Sequence, residues 1–273
     1  MRALMIGGDA RSTWAVRALQ SAGFETATLD VPQFSDTPLP CAADFVVLPF
    51  PSFVGQRIRG EAKHPVQAVL DAVLPDTRVF GGCFGSLRAA FSSRGCLVHD
   101  LYGAEPLTTA NAVPTAEGAI ALAVSESPIT LHDAHCLVIG FGRIGKVLAL
   151  KLSALSAHVT VSVRRESDQG LVEAFGLASE QTGSYPHGLR QYDFIFNTVP
   201  APVLDAQQLR SLSPDCTLID LSSAPYGIAP ELCRQVGVAC LYASGLPGRF
   251  APKTAGVLYA RQIIRELESE EAQ

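Results

Sequence analysis

Hydrophobic positions along the chain fall into short apolar runs that alternate with amphipathic stretches. Runs such as "RALMIGG" at the N-terminus and "DFVVLPFP" at 44–51 have the length and composition of buried β-strands. The first predicted helix has an apolar face formed by Trp14, Ala18, Leu19 and Ala22, and Gly23 is its predicted C-cap. Strands and helices that alternate in this way predict a parallel sheet covered by helices on both faces.

The alternation lapses once, at 103–113, which we interpret as a crossing between domains, and it resumes after a helix that begins near Pro114. We therefore expect an α/β protein with two doubly wound parallel-sheet (Rossmann-like) domains joined by a helix, and with a C-terminal helix packing back. The predicted boundaries are 1–112 for a substrate-side domain, 113–130 for the connecting helix, 131–250 for a dinucleotide-binding Rossmann domain and 251–273 for the C-terminal helix.

Composition narrows the function classes. The chain has 273 residues and is 48% hydrophobic, enough for a sizeable core, and its net charge of -5 disfavours a nucleic-acid surface. No apolar run reaches the roughly 18 residues of a membrane helix, and the N-terminus begins with a strand-like run in place of a signal peptide. Seven scattered cysteines indicate buried thiols ahead of a zinc site. We expect a cytoplasmic protein without a bound metal.

The most informative motif is "GFGRIG" at 140–145, in which Gly140, Gly142 and Gly145 follow a strand and open a helix. The first glycine allows a tight turn, the second lets a pyrophosphate approach the backbone, and the third lets helix and strand pack closely. The phosphates would bind at the helix N-terminus, beside Arg143 and Ile144. Such glycines also close tight turns in other α/β units, but the flanking strand and helix favour a dinucleotide site.

Two arginines stand where many dinucleotide-binding proteins have a carboxylate. The strand at 158–163 is followed by Arg164 and Arg165, about 20 residues after the fingerprint, and Ser167 lies just beyond. A carboxylate would bind the ribose 2′-hydroxyl of NAD, whereas guanidinium groups suit the 2′-phosphate of NADP. We therefore predict NADP(H), held by these three residues. The alternative is that an arginine simply lies on the surface.

Polar side chains also follow the next two predicted strands. Because these strand ends share an edge with the fingerprint, we predict cofactor contacts from Asn197, Thr198, Val199 and Pro200, and a substrate contact from Ser222. Asp220 is expected to cap or orient its neighbours and not to catalyse. Asn and Thr are also common in turns, which leaves a purely structural role open.

A second constellation, "GLPGRFAPKTAG" at 245–256, places two cations and a hydroxyl just before the last helix. A helix N-terminus favours anions, so we predict that Arg249, Lys253 and Thr254 bind an anionic substrate in a cleft between the two domains. An ordinary turn with surface cations is the alternative. Arg11 is a further candidate for a substrate carboxylate.

Three residues are candidates for the chemistry itself: Lys253, Thr254 and Glu117. Glu117 lies on the connecting helix, where Thr115 is a further candidate for substrate binding. None of these forms a pattern typical of a general acid and base.

Five motifs in this order resemble the dipicolinate synthase A family: "TAEGAI", "GFGRIGK", "FNTVPAPVL", "LIDLSSAP" and "GLPGRFAPKTAG". The resemblance covers nearly the whole chain, and its last motif is the most specific. One departure is Tyr226 in "SSAPYG", where the family pattern has two consecutive glycines after the proline.

The resemblance implies one component of a spore enzyme that works from a lysine-pathway product. Its reaction would oxidise a dihydrodipicolinate-type ring, derived from 4-hydroxytetrahydrodipicolinate, to dipicolinate with NADP+ as the hydride acceptor. It also implies a partner, the flavoprotein-like dipicolinate synthase B. Two alternatives stay open: a non-catalytic protein that binds NADPH or substrate and serves as a scaffold for dipicolinate synthase B, and a dehydrogenase of another anionic substrate. A homo-oligomer is also compatible with the sequence.

Overall fold

The structure, a computed structural model, describes residues 1–39, 42–71, 73–186 and 188–271. Contacts within the chain divide it into two compact units, Met1–Asn111 with Ala251–Gln273 (unit 1) and Ala112–Phe250 (unit 2). Each unit is built on its own parallel sheet. The predicted fold class, an α/β protein with two Rossmann-like domains, is confirmed.

The sheet of unit 1 is parallel and buried. The strands of this unit are β1 (Arg2–Ile6), β2 (Glu25–Leu29), β3 (Phe45–Val47), β4 (Phe53–Val54), β5 (Arg57–Ile58), β6 (Arg78–Gly81) and β7 (Leu97–Asp100). Five of them pair in the order β2-β1-β3-β6-β7, while β4 and β5 form a separate antiparallel pair. All three residues of β3 are buried, as expected for a central strand covered on both faces.

The helices of unit 1 are α1 (Ala10–Ser21), α2 (Val66–Leu70), α3 (Leu87–Ser92), α4 (Glu105–Ala110) and α11 (Pro252–Glu271). The C-terminal helix α11 packs closely on α1, where a Cβ atom on Gly256 would collide with the Arg11 carbonyl oxygen. Buried side chains of α11, including Tyr259 and Ile263, join the core around β1 and β3. The C-terminal helix therefore packs back, as predicted.

Unit 2 has the strands β8 (His135–Ile139), β9 (His158–Val163), β10 (Ala178–Gln181), β11 (Phe194–Asn197), β12 (Thr217–Asp220) and β13 (Leu241–Tyr242). All pair in parallel in the order β10-β9-β8-β11-β12-β13. This strand order is that of dinucleotide-binding sheets. From β8 the chain adds β9 and β10 on one side, and then crosses to add β11, β12 and β13 on the other side, so the order reverses between β8 and β11. Ligands of such sheets bind at this reversal, beyond the carboxyl ends of the strands.

The helices of unit 2 are α5 (Ala112–Glu126), α6 (Arg143–Ala154), α7 (Glu166–Ala174), α8 (Ala206–Arg210), α9 (Pro230–Val236) and α10 (Leu246–Phe250). Helix α6 begins within the glycine fingerprint, with Gly142 as its N-cap, and packs Leu148, Ala149 and Leu152 into the core. Helix α7 begins immediately after the two arginines. The sheet edge thus carries two helix N-termini next to the predicted cofactor residues.

Two details of the predicted elements are wrong. The stretch 103–113 contains α4, and α5 begins at Ala112, ahead of Pro114. In α1, the buried side chains are Ser12, Thr13, Ala15, Val16 and Leu19, whereas Ala22 is exposed. The reason is that α1 packs against both the sheet and α11, so its buried face is wide and includes the polar Ser12 and Thr13, which a pattern of apolar residues misses.

Within the described residues the cysteines are free thiols and, apart from Cys83, buried or half-buried. Cys96, Cys136 and Cys233 are buried, Cys216 and Cys240 are half-buried, and Cys83 is exposed; Cys41 lies outside the described residues. Burial raises the pKa of Cys136 and Cys216 to about 12, which disfavours the reactive thiolate. Within the described ranges, no helix is both long and apolar enough to cross a membrane.

Candidate cofactor and substrate sites

The glycine turn between β8 and α6 has the shape of a phosphate cradle. A Cβ atom on Gly140, whose φ is 100°, would lie 2.6 Å from Thr198 Oγ1, and one on Gly145 would collide with the Gly140 carbonyl oxygen. At Gly142, by contrast, an added Cβ would meet nothing within 4 Å. Two glycines are therefore required for packing, and the third leaves open space at the N-terminus of α6, where a pyrophosphate needs it.

Side chains at the end of β11 hold the next loop against this turn. Thr198 Oγ1 donates to the Ile139 carbonyl at 2.9 Å. The Asn197 amide is fully buried, donates to the Val199 carbonyl at 3.0 Å and accepts from the Val199 amide at 3.0 Å. Asn197 thus uses its side chain within the protein, and this geometry supports a loop-shaping role in place of the predicted cofactor contact. Val199 and the exposed Pro200 present the loop at the sheet edge.

Asp220 organises the end of β12. Its fully buried carboxylate accepts from Asn197 Nδ2 at 3.0 Å, from the Ser222 amide and hydroxyl at 2.9 and 2.7 Å, and from the Ile228 amide at 2.8 Å. Ser222 Oγ also accepts from the Gly227 amide at 2.9 Å. The buried Ser222 hydroxyl therefore connects Asp220 to the Gly227 amide. This arrangement gives no support to the predicted substrate contact. The expectation that Asp220 orients its neighbours fits this network.

The predicted phosphate clamp lies at the junction of β9 and α7. Arg164, Arg165 and Ser167 are all exposed there. Arg165 Nε and Nη2 donate to the two carboxylate oxygens of Asp168 at 2.8 and 2.9 Å. These hydrogen bonds, ahead of other effects, lower the pKa of Asp168, so its carboxyl group is ionised at neutral pH. The clamp therefore contains an acidic side chain as well as two basic ones.

Arg11 lines a recess at the carboxyl edge of the unit 1 sheet. The walls of this recess are formed by Asp9, Arg11, Ser12, Pro49, Phe50, Leu107, Asn111, Ala255 and Tyr259. Arg11 Nε and Nη2 donate to Asp9 at 2.9 and 2.8 Å, and Asp9 Oδ1 also caps α1. Burial tends to raise the pKa of Asp9, but the hydrogen bonds and charge of Arg11 outweigh it, so the pKa is lowered. Asp9 thus holds a charged Arg11 in a fixed orientation.

Aromatic side chains form another part of this recess. The Tyr259 hydroxyl is buried and donates to the Leu48 carbonyl at 2.7 Å. The Phe50 ring packs between Tyr102 and Tyr259, with centroid distances of 6.0 and 5.7 Å. The recess combines a guanidinium with an aromatic wall, and its enclosed volume of about 20 Å³ is enough for one carboxylate oxygen but not for a ring, which would lie at its mouth.

The second constellation forms α10 and the start of α11. Lys253 and Thr254 are exposed in the first turn of α11, as predicted. The Lys253 ammonium lies 5.0 Å from the centre of the Trp14 ring, one helical turn along α1 from Arg11. Arg249 belongs to unit 2, where its guanidinium lies 4.9 Å from the Phe250 ring.

The two candidates on α5 lie in different surroundings. Thr115 is buried. Glu117 Oε1 accepts from Lys151 Nζ at 2.9 Å, and Lys151 is in the last turn of α6. That position is about 12 Å along the helix from Arg143 at the phosphate end. The ion pair therefore gives no support to Glu117 as a general base near the cofactor.

Comparisons with known proteins bear on the family. No family model matches the chain. Dipicolinate synthase A of Bacillus subtilis (strain 168) is 32% identical over 174 residues, which are 63% of this chain and 59% of that relative. The crystal structure of dipicolinate synthase A from Bacillus halodurans superimposes with a TM-score of 0.88 at 25% identity, covering 97% of each chain.

The crystal structure of dipicolinate synthase A from Bacillus subtilis superimposes with a TM-score of 0.86 at 26% identity, covering 100% of this chain and 97% of that one. The resemblance to dipicolinate synthase A is confirmed. The sequence alignment spans less than two thirds of the curated relative's length, whereas the structural alignments span nearly all of theirs.

The departure from the dipicolinate synthase A pattern at Tyr226 has a structural explanation. Tyr226 has a φ of 63°, a left-handed conformation that glycine adopts without strain, and its ring packs on Tyr242 with a centroid distance of 4.7 Å. At Gly227 an added Cβ would collide with the Val199 carbonyl oxygen and the Asn197 amide. The loop thus keeps a glycine-type conformation at Tyr226 and a true glycine at the crowded position.

Sequence reasoning missed two residues of these sites. Lys146, at the end of the first turn of α6, lies 5.2 Å from the centre of the Phe141 ring and contributes to the lowered pKa of Asp168. Lys146 follows Gly145 directly in the sequence, so its position next to the fingerprint was a signal that could have identified it. Asp168 was not predicted, because its importance depends on the helix that brings it to Arg165.

Proposed function

We propose that the chain is an NADP(H)-dependent oxidoreductase that converts a dihydrodipicolinate-type intermediate to dipicolinate for bacterial spores, as one component of dipicolinate synthase. The intermediate forms from 4-hydroxytetrahydrodipicolinate by loss of water, and its oxidation removes a hydride and a proton. The observation that carries this proposal is the pair Arg164 and Arg165 at the end of β9, next to a glycine turn with open space at Gly142, in a chain that resembles dipicolinate synthase A. The cytoplasmic location stays part of the proposal.

The residues of unit 2 fit a dinucleotide. The amides at the start of α6 would hold the pyrophosphate, and Arg164, Arg165 and Ser167 would hold the 2′-phosphate. The loop at Thr198–Pro200, fixed by Asn197 and Asp220, would border the nicotinamide. When bound, NADP+ supplies the hydride acceptor.

The substrate of the proposed reaction carries two carboxylates. Arg11, held by Asp9, would bind one of them in the unit 1 recess, with Phe50 against the planar ring. Lys253 and Thr254 stand at the N-terminus of α11, one turn from Arg11, as further anion partners. Thr115, Ser222 and Arg249 were predicted for this role too; buried Ser222 fits it poorly, whereas Arg249 is exposed.

Besides the hydride, the proposed reaction removes one water molecule and one proton from the ring. Formation of an aromatic pyridine provides driving force, so the protein chiefly has to position the ring and exclude water. Lys253 is the candidate for proton transfer that retains an exposed ammonium, whereas Glu117 is held by Lys151.

A non-catalytic protein that binds NADPH or substrate and serves as a scaffold for the flavoprotein-like dipicolinate synthase B is the second candidate. The ion pair of Glu117 with Lys151 favours it, because this pair removes one of three predicted catalytic groups. The partner would then supply the acid and base.

The deciding experiment is NADP+ reduction, followed at 340 nm, by the purified chain with freshly generated 4-hydroxytetrahydrodipicolinate. We expect turnover by this chain, and its loss when NADP+ is omitted. Turnover only after dipicolinate synthase B is added would favour the scaffold function. If neither preparation reduces NADP+ and dipicolinate does not bind, the chain acts on a different substrate.

A further inference from the structure

We propose that Asp168 limits the preference of this chain for NADP(H) over NAD(H), by competing with the 2′-phosphate for the guanidinium group of Arg165. The inference rests on the proposed function, which puts the 2′-phosphate at Arg164 and Arg165. It concerns a specificity-determining residue that the sequence motifs do not include.

The geometry makes Asp168 a direct competitor. Arg165 is the residue preceding α7 and Asp168 is the third residue of that helix, so the helical spacing brings the two side chains together. The guanidinium donates from Nε to one carboxylate oxygen at 2.8 Å and from Nη2 to the other at 2.9 Å. A phosphate group is recognised by the same kind of two-donor fork. The carboxylate therefore occupies donors that the phosphate would use.

The exposure of the two partners indicates which of them yields. The Arg165 side chain is 75% exposed, whereas that of Asp168 is 20% exposed. An ion pair open to water is weak, so a phosphate can draw the guanidinium away. Asp168, fixed on the helix, stays beside the phosphate, and its negative charge then opposes binding.

The surrounding charges are mixed. Arg164 and Lys146 add positive charge, and Glu166 in the first turn of α7 adds negative charge. Glu166 and Asp168 share this first turn, yet it is Asp168 that forms the fork with Arg165. Removing the charge of Glu166 therefore tests a general charge effect, whereas removing that of Asp168 also tests competition for the Arg165 guanidinium.

The test is the isosteric substitution Asp168→Asn, with dissociation constants for NADPH and NADH measured by fluorescence titration at low salt. We expect NADPH to bind about three- to fivefold more tightly, because a surface competitor is removed. NADH binding should stay within about twofold. The gain should shrink at about 0.5 M salt, where charges are screened.

Two control variants sharpen the result. Glu166→Gln removes a charge from the same turn and should produce a smaller gain than Asp168→Asn. Glu231→Gln breaks a comparable exposed pair, Glu231 with Arg234 at 2.9 Å on α9, and should change neither constant. Equal gains in Glu166→Gln and Asp168→Asn would contradict the competition.

The inference and the proposed function fail in different ways. If wild type prefers NADPH and the double substitution of Arg164 and Arg165 to alanine abolishes this preference, the phosphate site stands. Weaker or unchanged NADPH binding in Asp168→Asn would then overturn the inference alone, since weaker binding would mean that Asp168 positions Arg165. No preference for NADPH in wild type would overturn both.

Discussion

Two arginine–aspartate forks of nearly the same geometry lie at helix N-termini in the two units. Arg11 donates to Asp9 at 2.9 and 2.8 Å, and Arg165 donates to Asp168 at 2.8 and 2.9 Å. They differ in exposure: the Arg11 side chain is 18% exposed and that of Arg165 is 75% exposed. In unit 1 the arginine is half-buried in a recess wall, whereas in unit 2 it lies in water.

This difference teaches that burial of the arginine, and not the hydrogen-bond pattern, decides what such a fork can do. Water can replace Asp168 around Arg165 at little cost, so that arginine is exchangeable between the carboxylate and a ligand. Arg11 cannot be rehydrated as easily, so Asp9 holds it in one orientation. The predictions below test whether the two forks behave so differently.

The largest effect is expected from Arg11→Met. This change removes a half-buried fork from the recess and should weaken dipicolinate binding about 100-fold, in line with the loss of a partner from a desolvated charge pair. Isothermal titration calorimetry measures it, with circular dichroism to verify folding. Arg17→Met, on the exposed side of the same helix, is the matched control and should change binding by less than about twofold. A change below about threefold in Arg11→Met would exclude the recess as the carboxylate site.

Substitution by lysine compares the two forks directly. Arg11→Lys keeps the charge but loses the two-donor geometry, and should weaken dipicolinate binding about tenfold. Arg165→Lys should weaken NADPH binding only about two- to threefold, because water and Arg164 compensate at an exposed site. Equal losses at the two positions would contradict the role assigned to burial.

Salt should separate the two sites further. Raising NaCl from about 0.05 to 0.5 M should weaken NADPH binding about tenfold, because exposed charges are screened. Dipicolinate binding at the half-buried Arg11 should weaken only about two- to threefold over this range. Parallel titrations across this range give both slopes, and a steeper slope for dipicolinate would reverse the comparison.

The smallest effect concerns stability in acid. The pKa of Asp9 is lowered in the folded chain, so its contribution is complete above the unfolded-state value of about 4 and is lost as pH falls through the folded-state value. Urea unfolding between about pH 5 and pH 2 should therefore show a shallower pH dependence in Asp9→Asn than in wild type. Asp168→Asn should flatten the curve less, since its partner is exposed; the opposite order would count against the comparison.

The sequence predicted those parts of the molecule that depend on local pattern. Alternating apolar runs predicted both parallel sheets, and the spacing of Gly140, Gly142 and Gly145 predicted a turn whose shape fits phosphate. Partners distant in sequence were beyond it. The ligand contacts of Asn197 and Ser222 stay predictions, and the sequence did not indicate that Asp220, 23 residues from Asn197, accepts hydrogen bonds from both side chains.

The unexpected turn conformation at Tyr226 illustrates the same limit. A sequence pattern marks this position as a place for glycine, and the chain keeps the left-handed conformation with a tyrosine. The packing of Tyr226 on Tyr242, which comes from the next strand, accompanies this conformation. The tyrosine in the sequence left the shape of this loop open, and only the structure shows that the left-handed conformation is kept.

The most direct test of the account is the ratio of NADH to NADPH dissociation constants in wild type and in a chain with both Arg164→Ala and Arg165→Ala. Arg234→Ala, an exposed arginine on α9, serves as the control. We predict that wild type prefers NADPH and that the double variant loses at least about tenfold of this preference, through weaker NADPH binding at unchanged NADH binding. An unchanged ratio in the double variant would contradict the phosphate site.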